Sequence, residues 1–93
     1  MATTTPTAPV MPVGTILQMC DLSFYEVVRA TAKTIWAQEL QTETRRDIGG
    51  SWFTLPIRGA YASDEKLMRR PSRIDYSIWF GNDRAYFYEG GVL

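Results

Sequence analysis

Ninety-three residues make room for one domain, and an apolar fraction of 45% with 13% aromatics belongs to a chain that folds rather than one that stays disordered. Ten basic residues balance ten acidic ones, so the basic excess of a protein that coats duplex nucleic acid is missing and self-association to a homo-oligomer is mildly favoured. With no histidine and one cysteine, the chain excludes an internal disulfide, Ser-His and Cys-His nucleophiles, and zinc held by His or paired Cys; neither metal nor cofactor is expected.

Residues 1–12 are mostly Thr, Pro and Ala, and Pro6, Pro9 and Pro12 cannot supply ladder hydrogen bonds, so a flexible arm is expected there and a single β-rich domain over 13–91. The arm has neither the basic start nor the apolar stretch of a secretory signal, and no run reaches membrane-span length; the expected compartment is the cytoplasm. Gly14 opens a first structured run, Thr15 to Cys20, where Cys20 reads as a small buried hydrophobe. Phe24 to Ala30 and Thr34 to Leu40 are each dense in β-branched and aromatic residues and read as strands. One helix over 23–42 is the rival: Ser23 and Glu26 have capping-box spacing, and Phe24, Val28, Ala32, Ile35, Trp36 and Leu40 fit a helical stripe. Strands are preferred, because Thr31-Ala32-Lys33-Thr34 is a poor helix centre.

Gly49-Gly50 breaks the chain, and Ser51 to Leu55 reads as a short strand that Pro56 ends or places at an edge. Residues 56–73 read as the longest irregular stretch, with one or two helical turns over 63–70, acids first and bases last, stopped by Pro71. The clearest signal follows. Ile74, Tyr76, Ile78 and Phe80 alternate with Arg73, Asp75, Ser77 and Trp79; Gly81-Asn82-Asp83 turns, and Arg84 to Glu89 answers as a second strand. Five or six short antiparallel strands point to an all-β fold, most economically a small SH3-like barrel; a helix at 23–42 would make it α+β instead.

The pattern Phe24-Tyr25-x-Val27-Val28-x-x-Thr31-x-Lys33-Thr34-Ile35, followed by Glu39-Leu40, resembles one found in small orphan proteins of bacteriophages and other mobile elements, as does the Tyr88-Glu89-Gly90-Gly91 ending. That resemblance implies two strands of an SH3-like barrel and a phage protein inhibiting a host defence system such as CRISPR. It supplies no catalytic residue.

The ten acids are scattered and read as solvated surface charge, and no phosphate-cradling glycine motif occurs, so no enzyme is expected. Two features suggest binding. One is a set of cations, Arg45-Arg46, Arg58, Lys66, Arg69, Arg70 and Arg73, suited to anions or an acidic partner, against a solvated loop with ion pairs to Asp64 and Glu65. The other is the hairpin: Trp79, Tyr86 and Tyr88 alternate with Ile78, Phe80, Ala85 and Phe87, which puts three aromatics where a one-sided sheet should be polar, either as a contact surface or as a second face packed under the 56–73 loop. The expected partner-binding residues are Trp79, Tyr86, Tyr88, Arg69, Arg70 and Arg73, and the expected function is non-enzymatic binding of a host protein. Single-stranded nucleic acid or a nucleotide is the alternative ligand, since small barrels set aromatics for base stacking beside arginines for phosphates.

Overall fold

The computed structural model describes residues 11–72 and 77–93. Six strands follow in chain order: β1 (Ile16–Gln18), β2 (Phe24–Ala30), β3 (Ile35–Arg46), β4 (Trp52–Arg69), β5 (Ile78–Phe80) and β6 (Asp83–Phe87). No helix occurs among the described residues, so the stretch from Ser23 to Thr42 is two strands. The local chemistry explains the choice. Thr31 N–H donates to the Thr34 carbonyl at 2.8 Å and the Thr31 hydroxyl accepts from Thr34 N–H at 3.2 Å, closing a turn where a helix would need its centre.

Every paired neighbour is antiparallel, in the order β4-β3-β2-β1-β6-β5. The first four strands meander, and the β5–β6 hairpin returns to the free edge of β1. The sheet curls into a half-barrel, an all-β architecture consistent with a small SH3-like barrel. Its alternation buries residues on both faces. Leu17, Met19, Val27, Ile35 and Ala37 join Met11, Ile78 and Ala85 in the main cluster, where Tyr25 stacks on Phe80 at 4.9 Å. Ile16, Phe24 and Leu40, one step out of phase, form a second cluster under Tyr61 and Tyr88.

Several expectations are corrected. Met11, assigned to the arm, is 2% exposed and belongs to the main cluster, and the Pro12 carbonyl accepts from Thr15; residues 1–10 of the arm lie outside the described residues. Cys20 is exposed, because Met19 takes the inward position and the chain turns at once into Asp21-Leu22-Ser23. The irregular stretch over 56–73 is mostly strand: β4 runs through Pro56 and through the segment expected to coil at 63–70. Pairing with β3 overrides the local helical signal, setting Lys66 against Gln38, Leu67 against Ala37 and Arg69 against Ile35. Pro56 survives inside β4 because it lies opposite Thr42, with its missing N–H on the outer edge; its carbonyl there accepts from Leu93 N–H at 2.9 Å.

Past Leu40, the β3–β4 pair leaves the body as a ribbon. Residues 41–49 are all exposed, and the molecule measures 61 × 28 × 26 Å. At the tip Gly50 N–H donates to the Asp47 carbonyl at 3.1 Å and Asp47 N–H to Ser51 at 2.8 Å, a three-residue hairpin loop of Ile48, Gly49 and Gly50. Its last position is left-handed, φ +87°, which is why a glycine stands there.

Candidate binding surfaces

Gly81 and Asn82 join β5 to β6, and Gly81 at φ +64° supplies the positive dihedral of a two-residue hairpin. The register sets Trp79 opposite Arg84 and Ile78 opposite Ala85. Ile78 and Ala85 are buried, so Trp79, Arg84 and Tyr86 occupy the outer face. Trp79 is 51% and Tyr86 52% exposed, and the Arg84 guanidinium lies 5.5 Å from the Tyr86 ring centre. This row is the strongest candidate for contact with a partner.

The other expected binding residues divide. Tyr88 turns inward: its ring meets Phe24 edge-on at 4.8 Å and its hydroxyl donates to the Gly91 carbonyl at 2.8 Å. Gly90 has no room for a side chain, since a Cβ would collide with the Tyr88 ring and hydroxyl. Phe87, expected on the buried face, is 58% exposed, because the core positions at this end of β6 are filled from the other side by Tyr88. Arg69 reaches the hairpin, but through its backbone and opposite face: Nε donates to the Trp79 carbonyl at 3.0 Å and the guanidinium lies 5.2 Å from the Phe80 ring. Arg70 follows β4, exposed; Arg73, with Ile74, Asp75 and Tyr76, lies outside the described residues.

A buried carboxylate was not legible in the sequence. Glu26, expected as solvated charge, is 6% exposed. Its two oxygens are shared between neighbours on β4: Arg58 Nη1 donates to Oε2 at 2.7 Å and the Tyr61 hydroxyl to Oε1 at 2.6 Å. Arg58 Nη1 also donates to the Gly14 carbonyl at 3.0 Å. Beside this group opens a cleft of about 310 Å³ lined by Ile16, Arg58, Phe87, Tyr88 and Glu89, among others. The only sequence signal was the period of β2, which sets Glu26 on the Phe24 side rather than the solvent side.

The hydrogen bond to Glu26 is the main reason the Tyr61 hydroxyl is held above its ordinary value of 10.0; partial burial adds to it and Arg58 opposes it. Tyr25 is also raised, chiefly by burial. The neutral phenol is the favoured form in the fold, so its contribution to stability is complete below pH 10 and is lost as pH climbs through the raised value. A tyrosinate absorbance titration should therefore show Tyr25 and Tyr61 ionising late, and Glu26→Gln should return Tyr61 toward 10.

The ribbon carries a further aromatic group. Ile48 is fully exposed at its tip, Trp52 is 68% exposed, and the Arg46 guanidinium lies 5.8 Å from the Trp52 ring. Counting Arg29 on Trp36 at 4.5 Å, four arginine guanidinium groups lie within about 6 Å of a ring centre among the described residues. No group of three metal-ligating side chains occurs among the described residues. Comparisons with protein-family models, curated proteins and solved structures give no match.

Proposed function

We propose that this chain is a non-enzymatic binding protein that docks a protein partner on the outer face of β5–β6. The observation supporting this reading is the row Trp79–Arg84–Tyr86, its two rings half exposed on a hairpin whose other face is anchored in the core. Trp, Tyr and Arg dominate binding hot spots, and a guanidinium already resting on a ring loses little freedom on docking. The mobile-element resemblance of residues 24–35 extends the proposal to a host protein as partner, in the host cytoplasm, with the chain acting as a phage-encoded inhibitor of a defence system. Trp79→Ala with Tyr86→Ala should abolish capture of that partner while the circular dichroism and cooperative melting stay unchanged. Undiminished capture by the folded double variant would refute the assignment.

A second reading, single-stranded nucleic acid, is favoured by Arg46 over Trp52 and Arg84 over Tyr86, each an exposed ring beside a cation. It requires tryptophan fluorescence to respond to an oligonucleotide at low salt and the response to fade steeply as salt rises. No response at low salt eliminates it.

A further inference from the structure

The ribbon leaves a strand edge open. β2 follows β3 only as far as Tyr25 opposite Glu39, and beyond that point no described strand lies against the edge of β3 that faces away from β4. Which residues face that edge follows from the hairpin tip. Asp47 N–H donates to Ser51, so Asp47, Arg45 and Glu43 direct their backbone groups to β4, and Thr42, Thr44 and Arg46 direct theirs outward. Pro56 agrees with this phase, since it stands opposite Thr42, where no N–H is asked of it by β3.

We propose that two copies of this chain pair antiparallel along this edge, about a two-fold axis at Thr44. Thr44 then exchanges both backbone hydrogen bonds with Thr44 of the second copy, and Thr42 does so with Arg46, in both directions. Between these pairs Glu43 of each copy stands directly opposite Arg45 of the other, at the closer of the two antiparallel spacings. Within one chain Arg45 Nε lies 3.3 Å from Glu43 Oε1 with both side chains about half exposed, so pairing builds a cluster of four alternating charges.

The charges also select the register. An axis at Arg45 would oppose Arg45 to Arg45 and Glu43 to Asp47, and one at Glu43 would oppose Glu43 to itself. An axis at Thr42 would drive the tip into the place that β2 occupies, and one at Arg46 would oppose Arg46 to Arg46. Only the Thr44 axis uses the whole free edge, opposes no like charges and sets Glu43 against Arg45 twice. The pairing also accounts for how the ribbon holds its shape. A lone two-stranded ribbon is marginal in water, whereas β4-β3-β3-β4 is a four-stranded sheet. It uses no residue of β5 or β6 and stands independently of the partner proposed above.

Sedimentation velocity of the full chain over a wide concentration range tests it. The unaltered chain should show a concentration-dependent dimer. Thr44→Pro removes an outward N–H, as Pro56 does across the ribbon, together with one long, exposed hydroxyl contact to Thr54 at 3.4 Å, and should leave a folded monomer. Glu43→Arg and Arg45→Glu each oppose like charges and should weaken self-association by about tenfold or more. Mixing those two variants restores both opposite-charge pairs, so the mixture should form a heterodimer that neither forms alone. A monomer at all concentrations, a dimer that survives Thr44→Pro, or a mixture that stays monomeric would each overturn the proposal.

Discussion

Phe24→Ala should lower the free energy of unfolding by about 4 kcal/mol. Phe24 is 1% exposed and is the largest side chain of the second cluster, packed with Ile16 and Leu40 and met edge-on by Tyr88 at 4.8 Å. Truncation removes the ring and leaves a cavity that Tyr88 cannot fill, because its hydroxyl is held to the Gly91 carbonyl and its ring is pressed against Gly90. A small domain holds only about 5–15 kcal/mol in all, so this one change should take a large share of it. Chemical denaturation measures the loss. Phe87→Ala is the control: an exposed side chain should cost no more than about 0.5 kcal/mol, and a large loss would put Phe87 back in the core.

The second large effect concerns Arg58. Arg58→Met should destabilise by about 3 kcal/mol, because it leaves the Glu26 carboxylate buried with the Tyr61 hydroxyl alone. Much of that loss is the cost of an uncompensated charge rather than the worth of the pair, since the Arg58 side chain is half exposed. Glu26→Leu combined with Arg58→Met should therefore recover most of the stability lost by Arg58→Met. The coupling between the two positions in a double-mutant cycle is the quantity to read. Additive losses would show that Glu26 and Arg58 do not act as a unit.

How much of this was legible in the sequence differs by element. Strands β2 and β3 were readable because Phe24 to Ala30 and Ile35 to Leu40 combine β-branched and aromatic residues with a turn the threonines close themselves. The β5–β6 hairpin was readable from Gly81-Asn82 and the alternation around it, but the exposure of Trp79 and Tyr86 was not, because alternation alone does not say whether the 56–73 segment covers that face. Strand β4 was not. Residues 63–70 carry helical charge order, and only pairing with a strand thirty residues earlier makes them extended, a long-range fact that no local window holds. Of the two roles read for Pro56, ending a strand or marking an edge, the second holds: it lies inside β4, the edge strand, with its nitrogen facing outward.

The candidate surfaces divide along the same line. Tyr88 was placed outward by strict alternation, but β6 ends at Phe87, and beyond that point the period no longer governs. Glu26 was taken as solvent-facing because charge usually is; its partners Arg58 and Tyr61 come from β4, whose path was not visible. The ribbon had a signal that went unused. Gln41-Thr42-Glu43-Thr44-Arg45-Arg46 is polar on both faces yet rich in a β-former, which describes a strand with no core to pack against.

The hairpin face is the central claim, and hydrogen–deuterium exchange on the chain with and without its captured partner tests it most directly. Slowed exchange confined to residues 77–88 on binding is the predicted result; an unchanged hairpin with protection elsewhere on the body would contradict it.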